Sequence, residues 1–143
     1  MTMPPPPDSL SPVTTFPNPA IYQALGTEGI RDLLRAVYRR IGASSIASLF
    51  PGDPTELQNA ADKSSMFFVG ICGGPALYEK KFGPPRMRLR HQGFAITEEA
   101  RVVWLSCWDE VLKTAPADLG FPAEHRDKFR EYLDSFSKWM VNQ

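Results

Sequence analysis

The sequence predicts an all-α domain, and three observations predict it. Apolar residues recur at the spacing of one helical face in segment after segment. Glycine and proline joints separate those segments. No stretch alternates apolar and polar residues as a half-buried strand does. The expectation is three long helices, several short ones and wide glycine–proline joints. A chain of 143 residues suffices for one core but not for two full domains.

Residues 1–20 stand apart. They hold seven of the fourteen prolines, including Pro4 to Pro7. Proline lacks an amide donor and fixes φ, so this stretch reads as an extended N-terminal tail that adds little to the core. The domain proper is expected over residues 21–143.

Asn18 and Pro19 form a helix cap and first turn, and Gly26 closes a short helix. Ile30, Leu33, Leu34, Val37, Tyr38 and Ile41 then share one helical face, which Gly42 ends. Residues 44–50 make one further turn, stopped at Pro51. Asp53-Pro54-Thr55-Glu56 opens the next helix, with aspartate as cap and glutamate three residues on. Its stripe is Leu57, Ala60, Ala61, Phe67, Phe68 and Ile71, with Ser64 where a leucine is expected. Gly73-Gly74-Pro75 stops it. Residues 75–83 and 84–93 each hold a short helical piece. Thr97-Glu98-Glu99 starts a helix with acid at its positive end. Val103, Trp104, Cys107, Trp108 and Val111 form its face, and Pro116 and Gly120 are expected to break it. The last helix shows Phe129, Tyr132, Leu133, Phe136 and Met140 on one side.

Composition excludes several function classes. Sixteen basic and sixteen acidic side chains give zero net charge, which argues against nucleic-acid binding by bulk charge. No apolar run approaches the roughly 18 residues of a membrane span. The N-terminus shows no basic stretch followed by an apolar core, so a cytoplasmic location is expected. Two cysteines cannot build a disulfide framework, and both read as small buried hydrophobes. There is no CxxC, HExxH, P-loop, GxGxxG or GxSxG.

The residues that could carry chemistry are few. His91 ends the run Arg86-Met87-Arg88-Leu89-Arg90-His91. Two readings stand: a surface histidine on a basic turn, or a ligand. The aromatic content of the neighbouring faces favours a ligand, since one imidazole in an apolar, aromatic-lined cavity is what a haem iron needs. Arg88, Arg90 and Lys63 are candidate partners for propionates, or a solvated basic face. Tyr38, Trp104 and Ser64 bring polar groups onto apolar faces. They either converge on a bound ligand or water, or each finds a backbone carbonyl. Trp108 reads as core, and His125, between Glu124 and Arg126, as surface.

One run of motifs is specific. Gly73-Gly74-Pro75 is followed by Tyr78, then by residues 85–91, then by Phe94 and Ile96, and then by Arg101 and Trp104. In order and spacing it resembles the truncated haemoglobins, most closely their group II, and the resemblance spans about Ile21 to Asn142. The resemblance implies a globin-like, two-over-two helical sandwich around a b-type haem. It places His91 on the iron, Tyr38 toward bound ligand and Phe50 against the haem. It puts Ala60 where larger globins carry a distal histidine, Ser64 one turn further on, and Trp104 over the distal side. Lys63, Phe67, Phe68, Tyr78, Met87, Arg90, Phe94, Ile96, Phe136 and Met140 complete the implied cofactor site. Phe50 and Ser64 depart from the residues that group II often carries there.

The function implied is reversible binding of dioxygen and other small gaseous ligands at ferrous iron, as in oxygen transport. The alternative is a redox enzyme on the same haem, a nitric oxide dioxygenase or a peroxidase-like activity, which would need a reductase partner. A helical interaction module without cofactor is the third class, separated from the others by the absence of haem absorption. A weak homodimer is compatible with the charge balance; nucleic acid and membrane are not expected partners.

Overall fold

The computed structural model describes residues 15–143. The polyproline reading of residues 4–7 lies outside them. The described chain is helical throughout: α1 (Ala20–Gly42), α2 (Pro54–Ile71), α3 (Leu77–Phe82), α4 (Met87–Arg90), α5 (Glu98–Leu119) and α6 (Arg126–Met140). Single 3₁₀ turns at Ala47–Leu49 and Ala123–His125 lead into α2 and α6. Four helices are long rather than three, at 23, 18, 22 and 15 residues.

The ends follow from local chemistry. Asp53 caps α2 by accepting from the Glu56 amide at 3.0 Å, with Pro54 in the first turn. Thr97 caps α5 by accepting from the Ala100 amide at 3.0 Å. Gly120, left-handed at φ 73°, closes α5. Gly26 has φ 68° and ψ −177°, so α1 is two helical pieces across a kink that a side chain would strain.

Pro116 does not end its helix. A proline at this position removes the amide that would bond the carbonyl four residues back. That carbonyl, on Leu112, instead receives a long contact of 3.5 Å from the Arg126 guanidinium. The orphaned acceptor has a cation from the next element, and the helix runs on to Leu119.

Helix α1 packs on α2 and α5, and α5 packs on α6, giving the two-over-two arrangement. The core between the pairs is aromatic. Trp108 is fully buried, with Phe68 at 5.3 Å and Phe129 at 5.5 Å between ring centroids. Each such side chain stabilises by about 1.5–3 kcal/mol through burial. Cys72 and Cys107 are both buried free thiols, and burial pushes Cys72 up to about 12.

Arg101 joins α5 to α6 from inside. Its guanidinium donates to Ser137 Oγ at 3.0 Å, Glu98 at 2.6 Å and Asp134 at 2.6 Å. The arginine is buried while both carboxylates reach solvent. Arg101→Met is expected to lower stability by about 1–3 kcal/mol, the range for breaking hydrogen bonds to a charged group. Urea denaturation would check it, and an unchanged midpoint would show that the pairing contributes nothing net.

Candidate functional site

The helices line a cavity of about 400 Å³. That lies within the roughly 300–1,000 Å³ of small-molecule and cofactor sites. Of the cofactor-site residues expected from the sequence, all but Arg88 lie on its wall: Tyr38, Phe50, Lys63, Ser64, Phe67, Phe68, Tyr78, Met87, Arg90, His91, Phe94, Ile96, Trp104, Phe136 and Met140. Ala60 lines it too.

The wall is built element by element. Tyr38 projects from the last turns of α1, with its ring edge-on to Phe50 at 5.5 Å. Ser64 comes from α2, beside the Tyr38 hydroxyl. Burial raises the Tyr38 pKa, and the hydrogen-bonding influence of Ser64 draws it partly back. The phenol therefore keeps its proton at neutral pH and can donate. Trp104 comes from α5, 6.0 Å from Trp108 between centroids and edge-on to it.

His91 follows the single turn α4. Its Nδ1 lies 2.7 Å from the Met87 carbonyl oxygen, which can only accept, so Nδ1 carries the ring proton. The Nε2 lone pair is left for a ligand bond, the arrangement typical of metal-binding histidines. Burial lowers the His91 pKa below the ordinary imidazole value; the Met87 bond opposes this, and Lys63 and Arg90 add to it. At neutral pH the ring is uncharged, the form that can ligate.

The loop behind His91 is held by the C-terminus. Asn142 Nδ2 donates to Phe94 O at 3.0 Å and to His91 O at 3.4 Å. Its Oδ1 accepts from the Ile96 amide at 3.0 Å, and its own amide donates to Ile96 O at 3.0 Å. Nothing local in the sequence marks this clamp, because its partners lie 46 to 51 residues away.

Other candidates fall differently. Arg88 is not on the cavity wall, and its Nε is buried without a partner. Arg90 is on the wall but donates to the Phe82 and Pro84 carbonyls at 2.8 and 3.2 Å. Lys63 stands 4.4 Å from the Phe82 ring centroid and is the cation left free at the mouth. Trp108, expected as core, is core and cavity wall together. Leu34, Ile46, Leu49, Pro51, Ala100, Arg101 and Ser137 also line the cavity, though none was named as a cofactor-site residue. Leu34 was already on the helical face of Tyr38, one turn before it. Arg101 and Ser137 meet across 36 residues, which spacing cannot show.

Comparison with known proteins agrees with this geometry. The sequence model of the bacterial-like globins matches residues 20–142. The group 2 truncated haemoglobin YjbI of Bacillus subtilis is 35% identical over 125 residues, which cover 87% of this chain and 89% of that protein. Phosphate-bound Hell's gate globin IV superposes with a TM-score of 0.83 at 35% identity, over 95% of this chain and 82% of that one. A truncated oxygen-avid haemoglobin from Bacillus subtilis gives 0.75 at 32% identity, over 87% and 99%. An all-helical two-over-two body, an apolar cavity and a histidine with one nitrogen left to ligate thus meet a family match over nearly the whole helical chain: it belongs to the bacterial-like globins, as a group II truncated haemoglobin, a haem globin that binds oxygen.

Proposed function

We propose that the cavity holds a b-type haem with His91 on its iron, and that the protein binds dioxygen and other small ligands reversibly. One observation carries this reading: a lone imidazole in an apolar wall, with Nδ1 held by the Met87 carbonyl and Nε2 left over. When bound, haem would supply a ferrous iron that takes up a diatomic gas. The likeness to a protein described as oxygen-avid supports the choice of ligand.

The chain's own residues do the rest. His91 offers Nε2, held in one orientation by Met87. Phe67, Phe68, Met87, Phe136 and Met140 keep water off the cofactor faces. Lys63 faces a propionate from the mouth. Tyr38 and Trp104 bring an O–H and an N–H to the wall, and Ser64 orients the phenol. The visible spectrum of the purified protein is the test. A Soret band is expected; a helical protein without one would be an interaction module, and the reading would fall.

Asn142 is a positioning residue in this scheme. Asn142→Ala removes side-chain hydrogen bonds worth about 0.5–1.5 kcal/mol each, so haem loss should quicken about tenfold. Capture of released haem by excess apomyoglobin would measure it. An unchanged loss rate would show that the loop holds its shape without the clamp.

A redox reading rests on the same site. Nitric oxide dioxygenation consumes an electron per turnover and so needs a donor protein. Steady turnover with nitric oxide and a reductase would separate this role from storage or sensing. The expected tail of residues 1–20 is too long at its C-terminal end: Pro17 is buried, the Phe16 ring lies 6.1 Å from that of Tyr132, and Ala20 already opens α1. Deletion of residues 1–14 should leave the Soret band in place.

A further inference from the structure

Lys63, Lys80, Lys81, Arg86, Arg88 and Arg90 carry six positive charges between residues 63 and 97, where Glu79 is the only acid. The whole chain is neutral, so a surplus of five on this stretch is balanced by a deficit of five spread over the rest. None of these six cations has a carboxylate within ion-pair distance among the described residues.

The fold gathers three of them about Phe82. The Lys63 and Lys81 ammonium groups stand 4.4 and 5.6 Å from the ring centroid of Phe82, whose carbonyl accepts from Arg90 at 2.8 Å. Lys63 and Arg90 line the cavity, so these three cations sit at its mouth; Lys80 neighbours Lys81 on α3, and Arg86 and Arg88 precede Arg90 in and before α4. All but the half-buried Arg88 are exposed. Two apolar side chains on either side of His91 in the chain are exposed, Leu89 at 41% and Phe94 at 46%, and Phe94 lines the cavity with Lys63 and Arg90. Two propionates would neutralise at most two charges, which leaves a surplus of three on a solvent-facing patch.

Like charges held together without counter-charges repel, and an acidic partner relieves that repulsion. A neutral molecule with its positive charge on one face is also oriented in the field of a negative partner before contact. Apolar groups ringed by charges have the anatomy of a protein interface. An amphipathic helix lying in a membrane surface runs over several turns, whereas α4 has four residues.

We propose that this face docks an acidic electron-transfer protein. The inference deepens the haem reading and rests on it for what is transferred: one electron leaves the partner's reduced cofactor and turns ferric haem iron ferrous, with no bond or proton moved. The docking itself depends on the surface alone.

A negatively charged flavodoxin is the probe, titrated calorimetrically into the haem-loaded protein at rising salt. Binding should appear at low ionic strength and fade as the Debye length shrinks. The variant Lys80→Glu, Lys81→Glu, Arg86→Glu touches no cavity-lining residue and should bind about tenfold or more weakly. A control with the same charge change elsewhere, Arg39→Glu, Lys113→Glu, Lys138→Glu, should bind nearly as the parent does. Flavodoxin reduction of ferric haem should slow in parallel in the first variant alone. Equal weakening in both variants would reduce the effect to net charge and overturn the site. So would no binding by the parent, or parent binding to phosphatidylserine vesicles but not to flavodoxin. An intact Soret band in all three proteins keeps failure of docking distinct from failure of the haem reading.

Discussion

His91→Ala is expected to lose haem, while His125→Ala keeps it. The chain has two histidines, and His125 lies in the 3₁₀ turn before α6, off the cavity wall. A supporting hydrogen bond alone changes metal affinity about 10–100-fold, so removal of the ligand itself should exceed that. The apolar wall would still hold the macrocycle weakly, so the effect is best read as haem remaining after gel filtration. Free imidazole should restore part of the Soret absorbance to His91→Gly, because the missing side chain leaves room for it. Circular dichroism would confirm that both alanine variants are helical. Equal haem retention in the two would remove His91 from the iron.

Tyr38→Phe is expected to speed dioxygen release about tenfold. Dioxygen becomes polarised when bound and gains from a donor; carbon monoxide is polarised far less. A hydrogen bond contributes about 0.5–1.5 kcal/mol, more to a charged acceptor, and about 1.4 kcal/mol is a factor of ten. The phenol is the cleaner test because the substitution leaves the ring's shape, and its edge contact with Phe50, nearly intact. Burial keeps the Tyr38 proton in place, so the effect should not vary between pH 6 and 9. Trp104→Phe should act in the same direction, but it also removes volume, so its effect mixes a lost donor with a larger cavity. The double variant should be less than additive if both groups reach one atom. Stopped-flow release of both gases decides it. An unchanged dioxygen rate in Tyr38→Phe would mean that Ser64 or another protein group takes up the hydroxyl.

Much of the site was legible because its residues sit on regular helical faces. Tyr38 shares its stripe with Leu34 and Ile41, and Trp104 shares one with Trp108. Ser64 broke an apolar stripe, which is a signal in itself. His91 was legible through its neighbours, since Met87 lies one turn earlier and its carbonyl is the one that fixes the ring. Propensity misled at Pro116. There the lost amide bond would end a helix in isolation, but Arg126 approaches the freed carbonyl from another element.

The sequence by itself determined the all-α class, the caps at Asp53 and Thr97, the helix break at Gly26, and the residues that face inward. Each depends on chemistry within a turn or two of chain. Only the tertiary structure decided which polar groups meet. Arg101 reaches Ser137 and Asp134, Asn142 holds the loop behind His91, and three cations gather about Phe82. The physical reason is range. Helix periodicity is a property of neighbouring residues, whereas hydrogen bonds and charge surplus at a cavity mouth depend on how helices distant in sequence are set against one another.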